Sequence, residues 1–190
     1  MQIEAKRLTD LVQEIINLSR LQDGDPLKNA QPYSMVDLIN QAIDESRLTA
    51  EKRKITLAFL PTTDHFVLGD RSQLEMAVSN LIENAINYSP DLTQVAIVLN
   101  CKDKLVEISV TDQGIGIPEK EIERIFERFY RVDPARSRAT GGTGLGLSIV
   151  KHIALNHGGD VKVWSKINVG STFALRLPIA PEESIEEVEI

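Results

Sequence analysis

Three stretches of the chain carry side chains whose types and spacing could do chemistry. Asn80, Asn84, Asn87 and Tyr88 recur at i, i+4 and i+7/i+8, so a helix there lines one face with amides. Asparagine is a middling helix former, and three on one face ask for a reason. Taken alone, the pattern fits a solvated polar face as well as a ligand site. An amide carbonyl is also a hard, neutral oxygen donor, suited to a Mg²⁺ that keeps waters and bridges to phosphates. The second stretch is Asp112-Gln113-Gly114-Ile115-Gly116-Ile117-Pro118, directly after an expected strand. A strand-end aspartate before two glycines can accept from a ligand amine while the backbone comes close. Its spacing is not that of a dinucleotide-binding G-x-G-x-x-G. The third is Gly141-Gly142-Thr143-Gly144-Leu145-Gly146-Leu147 ahead of a helix, where free N–H groups and a dipole end favour phosphate. No Lys-Ser/Thr follows as a Walker A loop requires. Before it, residues 131–140 hold Arg131, Arg136 and Arg138 and few large apolar side chains, and read as a mobile lid with cationic arms.

The elements that must position these stretches follow from periodicity. Leu8, Leu11, Ile15 and Leu18, widened by Val12 and Ile16, predict one amphipathic helix over residues 3–22, ended by Asp23-Gly24-Asp25-Pro26. Such a stripe needs a partner. A helix over 35–52 and a strand near 55–60 come next. Asp70-x-x-Gln73 is a capping-box pattern opening a helix through Asn87, with Leu74, Val78, Leu81, Ile82 and Ala85 on its apolar side. Alternation predicts strands at 94–100 and 105–111, joined as a hairpin through 101–104. Helices near 119–128 and 145–157 and strands at 160–165 and 171–177 complete the chain. Trp164 and Phe173 are expected in the core, and Cys101 is an incidental small residue. Helices interleaved with hairpin strands predict an α+β two-layer sandwich.

Composition narrows the classes. Hydrophobic residues make up 42% of the chain, enough for a core. Lys and Arg number 21 against 28 Asp and Glu, a net charge of −7. Glu182, Glu183, Glu186, Glu187 and Glu189 supply five of those acids, so the excess belongs mostly to a solvated tail. No basic footprint points to nucleic acid. The longest aliphatic run, residues 95–99, is too short to span a bilayer. A single cysteine excludes an internal disulfide and a cysteine-based metal cluster.

In this order the motifs resemble the nucleotide-binding domain of bacterial sensor histidine kinases, within the gyrase, Hsp90, kinase and MutL superfamily. Residues 80–89 are similar to the family's N box, 112–118 to its G1 box, 126–131 to its F box and 142–147 to its G2 box. The stretch from Arg131 through Trp164 looks most like actinobacterial, phosphate-responsive PhoR-type sensors. The resemblance implies a Bergerat fold that binds ATP and Mg²⁺. It implies that Asn84 holds the metal with Asn80 beside it, and that Asp112 accepts the adenine amino group. Gly114, Gly116 and Ile117 would shape the base pocket, and Tyr88 would stack near base or ribose. Gly142, Thr143, Gly144, Leu145, Gly146 and Leu147 would wrap the phosphates, and Thr172 would support the adenine pocket. Arg131, at the terminal phosphate, and Asn80 would be the catalytic pair. Asn87 stands where the family often has lysine.

One position separates kinase from hydrolase. ATP-hydrolysing relatives carry a glutamate four residues before the metal asparagine, as general base for water. Here that position is Asn80, which accepts no proton at neutral pH. Glu83 lies one residue before Asn84, at the wrong spacing. The expectation is phosphoryl transfer to an external nucleophile, with a hydrolase and a non-catalytic nucleotide-binding module as the competing classes. The family's phosphoacceptor histidine is followed by an acid, and neither His65, His152 nor His157 has that context. His157 at a helix end would favour the dipole as a cation. Residues 1–24 are expected to be the second helix of a dimerisation hairpin, 25–180 the catalytic domain and 181–190 an acidic tail. The expected partners are the dimerisation and histidine-phosphotransfer domain of the same protein, a cognate response regulator and a second copy in a homodimer. The domain is expected to be cytoplasmic, its parent in the cell membrane.

Overall fold

The computed structural model describes residues 30–61, 63–132 and 143–186, together with Thr9, Val12, Ile16 and Ser19. Those four isolated positions are helical and exposed. The rest of the predicted 3–22 helix, residues 133–140 of the predicted lid with Gly141 and Gly142 after them, and the tail beyond 186 lie outside the described residues.

Strand β1 (Gln31–Ser34) leads into α1 (Met35–Lys52), which begins at Ser34 because its hydroxyl accepts from Asp37 N–H at 3.0 Å. Strands β2 (Thr56–Phe59) and β3 (Phe66–Gly69) follow, then α2 (Arg71–Tyr88). The hairpin is β4 (Gln94–Lys102) and β5 (Leu105–Thr111), and two short 3₁₀ turns occupy Glu119–Glu121 and Arg124–Phe126. Helix α3 (Gly146–Asn156), strands β6 (Asp160–Lys166) and β7 (Gly170–Pro178) and a last turn of helix, α4 (Glu182–Glu186), complete the order.

Five strands form one mixed sheet in the order β2-β4-β5-β7-β6, with β2 parallel to β4 and the other pairs antiparallel. Strands β1 and β3 pair separately. One face of the large sheet carries Ile97, Leu99, Ile108, Val110, Phe173 and Leu175 into the core, where α1, α2 and α3 cover it. Helix α2 lies between the other two and buries Leu74, Val78, Leu81, Ile82 and Ala85, the side the sequence marks as apolar. That burial is what turns its amide face toward solvent. The architecture is the α+β two-layer sandwich expected of a Bergerat fold.

Several details depart from the sequence reading. The 119–128 segment is two 3₁₀ turns and not a helix, because Ile125 alone among them is buried and no apolar stripe exists to hold an α-helix down. The hairpin turn is only Asp103-Lys104, both at positive φ, in the two-residue form that suits the twist of paired strands. Trp164 is 57% exposed and not in the core. It sits opposite Thr172 on the outer face of edge strand β6, while Val161 and Val163 take the inward positions. The capping box at Asp70 is half formed. Asp70 accepts from Gln73 N–H at 3.0 Å, but its own N–H donates to His157 Nε2 at 3.2 Å, and Gln73 Oε1 is buried without a partner among the described residues. His157 is thus a buried, neutral acceptor, since its Nδ1 must donate to the Ile153 carbonyl at 2.8 Å. It is no dipole-favouring cation, and burial pushes its pKa down.

Candidate functional site

Strand β5 ends at Thr111 and delivers Asp112 to the floor of an open cavity. Asp112 is only 5% exposed. Its Oδ1 accepts from Gly114 N–H at 2.7 Å and Ser171 N–H at 3.2 Å, while Oδ2 accepts from nothing among the described residues. Burial pushes the carboxyl's pKa up, and the two backbone donors offset part of that rise. Ile115, Gly116, Ile117 and Phe173 wall the cavity around it. The following loop is wedged in place. Gly116 adopts φ +71, and a Cβ there would stand 2.1 Å from the Lys166 carbonyl oxygen. Gly114 lies off the cavity wall, so close to the end of α2 that a Cβ would meet the Tyr88 carbonyl oxygen at 2.6 Å.

A second, more open cavity adjoins the first and shares Asn84, Tyr88, Ile125, Tyr130, Arg131 and Leu147 with it. Its remaining wall is polar: Asn80, Glu83 and Asn87 from α2, and Thr143, Gly144 and Gly146 from the start of α3. Asn84 and Asn87 make no side-chain hydrogen bond among the described residues and keep their amides for the cavity. Asn80 does not. Its Nδ2 donates to the Met76 carbonyl at 2.8 Å, and its Oδ1 lies where a Cβ on Gly146 would be 2.6 Å away. Leu145 is fully buried and anchors the loop from beneath. Its N–H reaches Thr143 Oγ1 at 3.2 Å, and the Gly144 carbonyl accepts from Phe129 N–H at 2.9 Å. The end of α2 is held by Arg53, whose guanidinium donates to the carbonyls of Ile86, Asn87 (3.3 Å) and Ser89 (2.7 Å).

The structure brings together Asn80, Asn84, Tyr88, Asp112, Gly116, Ile117, Arg131, Thr143, Gly144, Gly146 and Leu147 around these two spaces. Thr172 is not among them. Its hydroxyl meets Thr111 Oγ1 at 2.9 Å on the outer face of the sheet, and Ser171 stands on the wall in its place. Strand parity carries the signal: with Phe173 inward, Thr172 has to face out. Ser171, Ile115, Ile125 and Tyr130 are wall residues the sequence reading did not single out.

Residues 69–181 match the family described as "Histidine kinase-, DNA gyrase B-, and HSP90-like ATPase". The chain belongs to this family. The sensor-like histidine kinase SenX3 of Mycolicibacterium smegmatis is 45% identical to this chain over 182 residues, covering 96% of the chain and 47% of the relative. The phosphate regulon sensor protein PhoR of Pseudomonas aeruginosa is 34% identical over 175 residues, covering 91% and 39%. The chain therefore spans about half the length of SenX3, or less of PhoR. Among solved structures, the mycobacterial sensor histidine kinase MprB superposes with a TM-score of 0.70 at 34% identity, over 80% of this chain and 99% of that one. Full-length ShkA in complex with AMPPNP gives 0.76 at 27%, over 91% and 36%. No helix among the described residues is long and apolar enough to cross a membrane.

The donor set of this histidine kinase-type ATPase domain suits a nucleotide that brings its own cation. No group of three His, Cys, Asp or Glu among the described residues could hold a metal ion alone. The amide of Asn84, at the junction of the cavities, can add one neutral oxygen to an ion already carried by phosphates and water.

Proposed function

We propose that the chain is the catalytic, ATP-binding unit of a sensor histidine kinase, transferring the γ-phosphoryl group of ATP to a histidine outside the described residues. The observation that carries this reading is Asp112, with one carboxylate oxygen unpartnered among the described residues at the floor of an apolar cavity that opens into an amide- and glycine-lined one. Asp112 accepts the base amino group, with Ile117 and Phe173 against the base and Tyr88 at the rim. Backbone N–H groups of Gly144, Gly146 and Leu147, at the start of α3, receive the phosphates. Mg²⁺, when bound, supplies charge neutralisation on the phosphates, and Asn84 is the side chain that would hold it. Arg131 lines both cavities and stabilises charge on the terminal phosphoryl group. Asn80, its Nδ2 held by the Met76 carbonyl, stands beside Asn84 on the cavity wall and, as an amide, activates no water.

The acceptor histidine belongs to a dimerisation hairpin, and the phosphoryl group passes on to an aspartate of a response regulator. The parent protein acts as a homodimer at the membrane, with this unit in the cytoplasm and no nucleic-acid partner. His157 is 3% exposed and closed to such chemistry.

Labelled ATP with and without a histidine-bearing dimerisation hairpin tests the reading. Acid-labile label should appear on the hairpin and none on this chain. Acid-stable label on the chain, or free phosphate as the main product, would overturn it. The hydrolase reading would need a general base at the Asn80 position, where an amide stands; Glu83 lines the same cavity but at the wrong spacing for that role. Arg131→Ala should slow transfer about a hundredfold while weakening nucleotide binding far less.

A further inference from the structure

Arg53, the residue after α1, spends its side chain on a distant part of the chain. Its Nε donates to Asp91 Oδ1 at 2.9 Å. Its two terminal nitrogens donate to the carbonyls of Ile86, Asn87 at 3.3 Å and Ser89 at 2.7 Å. Its own carbonyl accepts from Leu92 N–H at 3.2 Å. The half-buried guanidinium thus sits inside the turn by which the chain leaves α2.

Helix α2 cannot supply this contact itself. The last carbonyls of a helix have no N–H partner within it, and α2 carries no basic residue in its last turn. Among the described residues, the chain that follows closes only the Ala85 carbonyl, through Ser89 N–H at 3.1 Å. The Tyr88 carbonyl faces Gly114 in the loop after β5, so closely that a Cβ there would stand 2.6 Å away. The last turn is therefore held from two sides. Arg53 takes carbonyls before and after Tyr88, and the Asp112 loop packs on Tyr88 itself.

That turn begins directly after Asn84. An α-helix places Tyr88 N–H on the Asn84 carbonyl, so fraying of the turn frees the backbone that carries the amide. We infer that Arg53 is a positioning residue for the cation: it clamps the end of α2 so that the Asn84 amide stands at a fixed place relative to the Asp112 loop. This rests on the reading of Asn84 as the side chain that would hold Mg²⁺. Arg53 lines neither cavity and acts without touching the nucleotide. The base floor does not depend on it, because Asp112 is tied through the N–H groups of Gly114 and Ser171.

Calorimetric titrations with adenosine, and with AMP-PNP in the presence and absence of Mg²⁺, test this on the native protein, R53A, N84A and the double variant. R53A should bind adenosine as the native protein does. It should lose about three- to tenfold in AMP-PNP affinity, and only with Mg²⁺ present. The double variant should bind no more weakly than N84A, because both changes remove the same contact. If Arg53 is only a staple for the fold, R53A lowers the thermal midpoint but keeps the native gain from Mg²⁺, which overturns the inference. A loss that adds to that of N84A, or an equal loss with adenosine, also overturns it. Should R53A not fold, R53K keeps the charge but gives up the fork that reaches several carbonyls at once, and is read by the same measures. An N84A variant that keeps the native gain from Mg²⁺ removes the reading of Asn84, and the inference falls with it.

Discussion

The two ends of the site are built on different terms. At the base end, the polar groups around Asp112 are already tied to other parts of the protein. Asp112 Oδ1 holds two N–H groups, Ser171 is tied through its own N–H, and Ile117 N–H rests on Ser165. At the phosphate end, the amides of Asn84 and Asn87 project from a helix face without side-chain partners among the described residues. A base entering the first cavity meets a surface whose ordering cost folding has already met. Phosphates entering the second meet side chains that still have to be ordered. Selectivity is therefore expected to reside in the strand-built end, and dependence on the cation in the helix-built end.

The largest effect should come from removing the one free oxygen at the ordered end. Asp112→Asn keeps an acceptor for Gly114 and Ser171 but turns an NH₂ toward the base amino group, donor against donor. A buried unmade hydrogen bond of this kind should weaken AMP-PNP binding about a hundredfold in a calorimetric titration. The fold should not suffer. Burial raises the Asp112 pKa in the folded state, so the folded protein holds its proton to higher pH than the unfolded chain does. The stability this brings is present at low pH and is lost as pH rises through the folded value. Denaturation midpoints of the native protein should thus decline just above the usual carboxylate range, and Asp112→Asn should lack that decline. An affinity within threefold or so of native would break the contrast between the two ends.

Asn84→Ala should have a smaller and conditional effect. With Mg²⁺ present, affinity should fall about tenfold, as one neutral ligand among waters and phosphate oxygens is lost. Without Mg²⁺ the variant and the native protein should bind alike. Because the side chain makes no hydrogen bond among the described residues and alanine is the better helix former, the thermal midpoint should hold or rise. Equal losses with and without the cation would remove Asn84 from the metal and make it part of the ordered end.

The sequence shows the helix-built end better than the strand-built one, for a physical reason. Asn80, Asn84 and Asn87 recur at helical spacing, and the Asp70 cap and the buried face of α2 fix which way they point. Asp112 and its glycines are equally visible, because a turn between close-packed backbones admits few other residues. What supports them comes from strands distant in sequence. Ser165 and Ser171 meet only because β6 and β7 pair and the 115–117 loop falls on their turn. Thr172 is misplaced where only strand parity decides, and Trp164 is misplaced because the order that puts β6 at an edge is not written in β6 itself. Strands β1 and β3, four residues each, are too short to show a period.

The smallest predicted effect lies beneath both ends, where the start of α2 meets the end of α3. His157 accepts from Asp70 N–H through Nε2 and donates from Nδ1 to the Ile153 carbonyl. Its ring lies against Gly69, where a Cβ would be 2.4 Å from Cδ2, so the site has no slack for the ring to swing away. Protonation would turn Nε2 into a donor facing the Asp70 donor. Burial lowers the folded-state pKa, while the nearby Asp70 carboxylate opposes that shift. The sign follows from proton counting. Stability from neutral His157 is fully present above the unfolded value of about 6.5 and is lost as pH falls through the lower folded value. Denaturant midpoints should therefore be level near neutrality and fall on acidification, before the carboxylates titrate. His157→Gln keeps an acceptor oxygen for Asp70 and carries no titrating group, so its midpoint should stay level over the same range. A parallel fall in both proteins would assign the acid sensitivity elsewhere. A fall in the native protein alone would show that the helix bearing the amides is anchored at its start through a histidine that the nucleotide never meets.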